Sequence, residues 1–459
     1  MLGEIVSRRS RVPSMNELLP VFEEDRAIAW RNGIRLTQGE FLADVLQMAD
    51  RLPNVGCVIN ICEDRYNFLV ALGAAAVRGR ISVLPHTAAP GALAQISAQY
   101  PEIHLVYDAS EPPVTISATA VRCSGGRKAR RNALPSVAPD LPLIHAFTSG
   151  STGTPQASTK TWRALTAGSR QLAKRAGDPE RGWRSIVSTV PSGHSYGLEF
   201  GIVPALLNGC AIHCSRPLLP AEVGSALDSV SIPRCLVTTP LHLKALIASS
   251  MRFPPLGLIV SATAPLPIEL ARQAEERLGA RVFEIYGCTE SGYAATRWTT
   301  RDGDWLVRDD MRLEAVGEGH AIVADFLPEP VVLSDVIETS DCRTFRLVGR
   351  SADMVNIAGK RASLSGMCRL LNDIEGVEDG VVIAPEISND DTKVQRLVAV
   401  VVAPGVSAET IRDAFRRCVD PAFVPRRVVL VDKLPRNETG KLPMDRLWVI
   451  VNRTDGGQA

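Results

Sequence analysis

Residues 256–285 limit the possible architectures most. The run 256–261 is rich in Leu, Ile and Val and reads as a buried strand. Residues 267–278 space their apolar side chains at helical intervals behind Pro267, which suits a first helical turn. Residues 281–285 return to a strand pattern. Two strands joined through a helix run parallel, so the segment predicts a β-α-β unit and a parallel sheet. Residues 235–238 followed by Pro240, and 55–61 followed by 66–77, repeat the pattern. The tail differs. Residues 380–384, 396–402 and 428–431 read as strands, and Ser407 can cap a helix running to Cys418, giving a compact α+β module of roughly 100 residues. A chain of 459 residues exceeds one ordinary core. The expected fold class is α/β: a large N-terminal domain of sheet-and-helix layers, residues 1–350, and a small α+β C-terminal domain, residues 351–459.

Composition excludes several partners. Net charge is +1, so no global field recruits nucleic acid or an anionic membrane. The basic cluster at 127–131 lacks interleaved aromatics and reads as a solvated loop. The longest apolar run, 68–77, is too short to span a bilayer, and residues 1–20 hold no signal-peptide core. The ten cysteines show no zinc-ligand spacing and read as reduced thiols of a cytoplasmic protein. There are only eight lysines among 51 basic residues, so a lysine inside a motif carries more weight here.

Four stretches carry candidate chemistry. Thr148-Ser149-Gly150-Ser151-Thr152-Gly153 follows the apolar run 141–146. Glycines let backbone N–H groups turn toward a ligand and hydroxyls add donors, a cradle for phosphate oxygens, although a plain surface loop has the same composition. It is not a Walker A loop, since no lysine follows Gly153. Tyr286-Gly287-Cys288-Thr289-Glu290 follows a strand and offers an aromatic face for a base, a hydroxyl for phosphate and a carboxylate for Mg²⁺; alone it is also an ordinary turn. Asp335, expected after an apolar strand, can accept both hydroxyls of a ribose, and Arg350, expected after the strand 345–348, can reach a phosphate or the ribose. Near the C-terminus, Gly440-Lys441 can bring a cation into a confined site, where it would stabilise charge developing during displacement.

In this order the pieces resemble the adenylate-forming superfamily of acyl-CoA synthetases, carrier-protein-loading adenylation domains and firefly luciferase, over almost the whole chain. Residues 147–155 resemble the phosphate-binding loop, and the segment 261–267, with Thr263, the adenine side. Residues 286–290 resemble the Tyr-Gly-x-Thr-Glu motif and Asp335 the ribose aspartate. Arg350 stands fifteen residues later, the separation seen in many members, and Gly440-Lys441 matches the catalytic lysine loop. The resemblance implies Mg·ATP as co-substrate and two half-reactions. A small carboxylic acid first attacks the α-phosphate, with Thr148, Ser149, Ser151 and Thr152 on the phosphates, Thr289 on the α-phosphate, Glu290 on Mg²⁺ and Lys441 between the reacting oxygens. The small domain then swings near Arg350, and a phosphopantetheine thiol enters past Gly359 to attack the acyl-AMP.

The departures are informative. The usual lysine of Thr-Gly-x-Pro-Lys-Gly is Gln156, and Lys160 is near enough to invite substitution for it. The Gly-Gly-Ala-Pro segment reads Ala262-Thr263-Ala264-Pro265. Residues 190–198, with His194, Ser195, Tyr196 and Gly197, resemble the segment beside the acyl pocket; His194 would orient the carboxylate or plug the tunnel, unless it is a structural loop histidine. The variant loop followed by Lys160-Thr161-Trp162 resembles bacterial ligases that load acids in aryl-polyene and xanthomonadin-type pigment pathways. That implies a hydroxybenzoate-like acid delivered to a holo-acyl carrier protein, with free CoA as the alternative acceptor. Arg412, Arg416, Arg417, Arg426 and Arg427 could meet an acidic carrier protein or form a solvated face. A nucleotide-binding regulatory protein without catalysis is the alternative of another class.

Overall fold

The computed structural model describes residues 17–54, 56–85, 88–112, 120–123, 134–148, 156–317, 319–350, 354–357, 360–384, 396–419, 421–437 and 442–453. The chain divides into two compact units. The first holds residues 1–301 with 308–310 and 325–328; the second holds 302–307, 311–324 and 329–459.

The first unit is α/β, as its sequence predicts. One sheet runs in the order Gly292–Trp298, Val282–Cys288, Leu258–Ser261, Arg234–Thr238, Ser185–Ser188, Ala211–His213, Ala27–Arg31, Ile34–Thr37. Its inner pairings are parallel, and only the two outermost strands of this unit run antiparallel to their neighbours. A second sheet runs Ala120–Arg122, Ile103–Tyr107, Cys57–Asn60, Ser82–Leu84, Pro142–Thr148, Gln156–Thr161, parallel except for the last pair. The helix Arg65–Val77 packs against strands of both sheets. It is apolar almost all round, the composition of a helix with no solvent face. Asp64 caps it by accepting from the amides of Tyr66 and Asn67.

The second unit contains the strands Trp305–Val307, Thr344–Arg350 and Asp335–Glu338 in one antiparallel group, and the hairpin Met354–Ile357 with Lys360–Ser363. Its other main sheet places Val398–Val402 between Asp379–Ile383 and Arg427–Leu430. The helix Ala408–Cys418 covers it through Ile411 and Phe415, and Ser407 caps that helix at the amide of Thr410.

Several expected boundaries move. The strand expected at 281–285 continues to Cys288, because Gly292–Trp298 returns antiparallel and keeps its backbone paired. Pro267 is the residue before the helix Ile268–Leu278, outside its first turn. Asp335 opens a strand, whereas an aspartate closing one was expected, because the preceding strand is only Val331–Val332. All ten cysteines are free thiols. No helix among the described residues is long and apolar enough to cross a membrane.

Candidate active site

In the first unit the expected site residues gather at the carboxyl ends of the parallel strands, where open α/β sheets bind ligands. Thr263 lies two residues beyond Leu258–Ser261, and Tyr286, Gly287 and Cys288 are the last residues of Val282–Cys288. Thr289 and Glu290 form the turn that leads back into Gly292–Trp298, and Glu290 is exposed. Thr148 and Gln156 are paired residues at the mouth of an antiparallel hairpin. The phosphate-loop residues Ser149, Gly150, Ser151, Thr152 and Gly153 lie outside the described residues, as do Gly359, Lys441 and the basic cluster 127–131.

The hairpin and the Thr289–Glu290 turn touch. The Ser158 hydroxyl and the Lys160 ammonium, both on Gln156–Thr161, each donate to the Thr289 carbonyl at 3.0 Å. Lys160 is 5% exposed and pairs with Glu199 at 3.1 Å. The Lys160 ammonium is therefore bound to protein oxygens beside the Thr289 turn. Burial pushes the Glu199 carboxyl up, but Lys160, the Tyr293 amide and the Ser195 hydroxyl outweigh it and hold the carboxyl below its ordinary value.

Thr263 has a φ of +81°, which β-branched residues avoid. Its hydroxyl is buried without a hydrogen-bond partner, as is that of Ser261. Unpartnered hydroxyls at the end of a parallel sheet fit a polar ligand placed there.

His194 is more than a loop residue: it is the N-cap of the helix Ser195–Gly201, accepting from the Tyr196 amide at 3.3 Å. The Tyr196 hydroxyl bonds the carbonyls of Thr238 (3.0 Å) and Val260 (2.9 Å), which docks the helix on the strand ends. Gly197 has a local reason. A Cβ there would stand 2.0 Å from the Pro191 carbonyl oxygen, so only glycine lets the helix lie against its own entry loop. A cleft beside the Thr289 turn is lined by Lys160, Glu199, Glu290, Tyr293, Arg308 and Phe326 among others; His194, Ser195, Tyr196 and Gly197 do not line it.

In the second unit, Asp335 and Arg350 are direct partners across the antiparallel strands Asp335–Glu338 and Thr344–Arg350. Their fifteen-residue separation is the length of that hairpin. The expected basic face is partly neutralised, since Arg412 and Arg416 both pair with Glu409 on their own helix, and Arg416 also with Asp413. Two residues were missed as site members. Glu199 is a lone carboxylate in the apolar helix Ser195–Gly201, and buried carboxylates need partners, which is the available signal. Arg308, 2% exposed, bonds the Tyr293 carbonyl and pairs with Asp310; the sequence around it offers no signal.

A single carboxylate beside a hydroxyl suits Mg²⁺, which takes one or two carboxylates and completes its shell with phosphate oxygens and water. Among the described residues no three His, Cys, Asp or Glu gather as a metal site.

The fold agrees with known proteins. Residues 20–323 match the AMP-binding enzyme family and residues 371–441 the AMP-binding enzyme C-terminal domain; the chain belongs to this family. It is an ATP-dependent, AMP-forming acid–thiol ligase, activating a carboxylic acid as its acyl-adenylate. A 4-coumarate–CoA ligase of Halorhodospira halophila is 30% identical over 304 residues, 64% of this chain and 73% of that one. A salicylyl-CoA synthase / salicylate adenylyltransferase of Streptomyces sp is 24% identical over 70% of this chain and 65% of its own length. The crystal structure of ATP-bound MatB from Rhodopseudomonas palustris shares the fold at a TM-score of 0.78 and 17% identity, covering 93% of this chain and 96% of that one.

Proposed function

We propose that this ligase adenylates an aromatic, hydroxybenzoate-like acid and passes the acyl group to the phosphopantetheine thiol of an acyl carrier protein. The observation that carries the adenylation site is the contact of two loops. The hairpin that leaves the phosphate loop and the Thr289–Glu290 turn meet at the Thr289 carbonyl, with the unpartnered Thr263 hydroxyl at the neighbouring strand end. The aromatic acid is supported by the likeness to ligases of 4-coumarate and salicylate.

In the first half-reaction an oxygen of the substrate carboxylate bonds to the α-phosphorus of ATP and the bond to pyrophosphate breaks. Thr148, Ser149, Gly150, Ser151, Thr152 and Gly153 hold phosphate oxygens, and Thr289 contacts the α-phosphate. Glu290 would hold Mg²⁺, which would supply neutralisation of phosphate charge. Thr263, Tyr286 and Gly287 take the adenine side, and Asp335 and Arg350 the ribose. Lys441 bridges the reacting oxygens. Positioning and charge neutralisation suffice, because this displacement needs little covalent help from the protein. His194, with Ser195, Tyr196 and Gly197 behind it, orients the acid. In the second half-reaction the thiol sulfur bonds to the acyl carbon and AMP leaves. Residues 351–459 swing about Arg350 against residues 1–350, withdrawing Lys441 and opening the thiol path past Gly359. Free thiols at all ten cysteines support a reducing, cytoplasmic setting.

The test is ATP–pyrophosphate exchange over a panel of aromatic and fatty acids, followed by mass spectrometry of holo-carrier protein and of CoA. Exchange with an aromatic acid and acylation of the carrier are expected. Acylation of CoA alone would move the acceptor to CoA, the reading favoured by the relatives' CoA ligase names. No exchange with any acid would count against the adenylation site.

A further inference from the structure

Lys160 is a buried cation beside the Thr289 turn, and its surroundings suit a task other than the one its position in the sequence invites. Its ammonium is committed twice, to Glu199 at 3.1 Å and to the Thr289 carbonyl at 3.0 Å. Glu199 is itself held by the Ser195 hydroxyl at 3.0 Å and the Tyr293 amide at 3.0 Å. Gly292, at a φ of +70°, makes room: a Cβ there would stand 3.1 Å from both Glu199 oxygens and 3.3 Å from the Lys160 nitrogen. One ion pair therefore joins three elements: the strand that leaves the phosphate loop, the turn carrying Thr289 and Glu290, and the helix capped by His194.

Lys160 has its charge matched by a carboxylate at hydrogen-bond distance, in a site almost closed to water. Two donors on one carbonyl also set the plane of the Thr289–Glu290 peptide, since a trans peptide is rigid and its C=O and N–H point opposite ways. That plane fixes where the Thr289 and Glu290 side chains leave the backbone. The charge of Lys160 is thus matched inside the protein, where it supports the turn.

We propose that Lys160, paired with Glu199, is a positioning residue that holds the Thr289–Glu290 turn in its adenylating geometry, and is not a phosphate ligand; this rests on the adenylation reading above. The full-length protein tests it with Lys160→Met, Glu199→Gln, their double variant and Ser158→Ala. Three quantities are measured: kcat and KM for ATP in pyrophosphate exchange, the Mg²⁺ concentration giving half activity, and amide hydrogen–deuterium exchange across residues 286–293.

The expected result for both charge variants is a kcat lowered about 100-fold, the cost of a displaced reacting group. KM for ATP should move less than kcat, half-saturating Mg²⁺ should rise, and amides 286–293 should exchange faster. The double variant should be no worse than the poorer single one, since the pair acts as a unit. Ser158→Ala removes the second donor without unpairing a charge and keeps the test open if a charge variant fails to fold. It should raise half-saturating Mg²⁺ about threefold to tenfold, the scale of one hydrogen bond. The proposal is overturned if Lys160→Met raises KM for ATP at unchanged kcat, if Glu199→Gln tightens ATP binding, or if protection at 286–293 matches wild type in every variant. The amide measurement needs no turnover. A wild-type protein inactive with all acids would sink the adenylation reading, while deuterium exchange would still decide whether Lys160 holds the turn.

Discussion

At the scale of single residues, the roles divide between charge delivered to the reaction and backbone held under strain. Lys441 is assigned the first kind. Lys441→Ala should lower adenylation about 100- to 1,000-fold, the loss seen when one preorganised donor is removed, while calorimetry finds ATP binding largely retained. Unchanged turnover would refute the role. Glu290→Gln keeps the shape of the exposed turn and removes the charge Mg²⁺ requires, so a Mg²⁺ titration should show a higher half-saturating concentration and a lower plateau; an unaltered titration would remove Glu290 as the ligand. Thr263 is the strained case, at φ +81°. Left-handed backbone costs an L-residue about 1–2 kcal/mol, and glycine's extra unfolded freedom returns about 0.5–1 kcal/mol of that. Thr263→Gly should therefore stabilise the protein by about 0.5–1 kcal/mol in denaturant titration. If the hydroxyl serves the nucleotide, ATP affinity should fall in the same variant.

At the scale of elements, the helix Ser195–Gly201 organises one wall of the site. His194 caps it, Tyr196 pins it to two strand-end carbonyls, and Glu199 ties it to the strand that leaves the phosphate loop. Gly197 lets it approach the Pro191 carbonyl, closer than any Cβ tolerates. Gly197→Ala should cost about 3 kcal/mol by overpacking. Thermal unfolding and substrate KM should worsen together, because the helix pushed away from Pro191 is the one that His194 caps and Tyr196 anchors. The strand–helix–strand order around this wall was legible in the sequence, since the apolar periods are long and their breakers clear. The ends were not. Val282–Cys288 runs three residues past the expected end because pairing with Gly292–Trp298 satisfies its backbone, and that pairing depends on residues beyond the run itself.

At the scale of the molecule, burial shapes the response to pH. Desolvation lowers the imidazoles of His145, His213 and His242 below their ordinary 6.5, with Arg216 adding to it at His242. A histidine whose folded value is lowered stays neutral where its unfolded counterpart gains a proton. Stability is therefore intact above about 6.5 and declines as pH falls through the interval down to the lowered values. The melting temperature should drop as pH falls below about 6.5, and His145→Gln should flatten part of that slope.

Sequence by itself determined the α/β class, the family and the order of its motifs, because each of these is written in local composition and short spacing. Asp335 and Arg350 show the limit. Their separation was visible, but only the hairpin makes them neighbours. Tertiary structure alone decided that Lys160 faces Glu199 and the Thr289 carbonyl, since both partners come from distant segments of the chain and a buried charge takes its meaning from what packs around it.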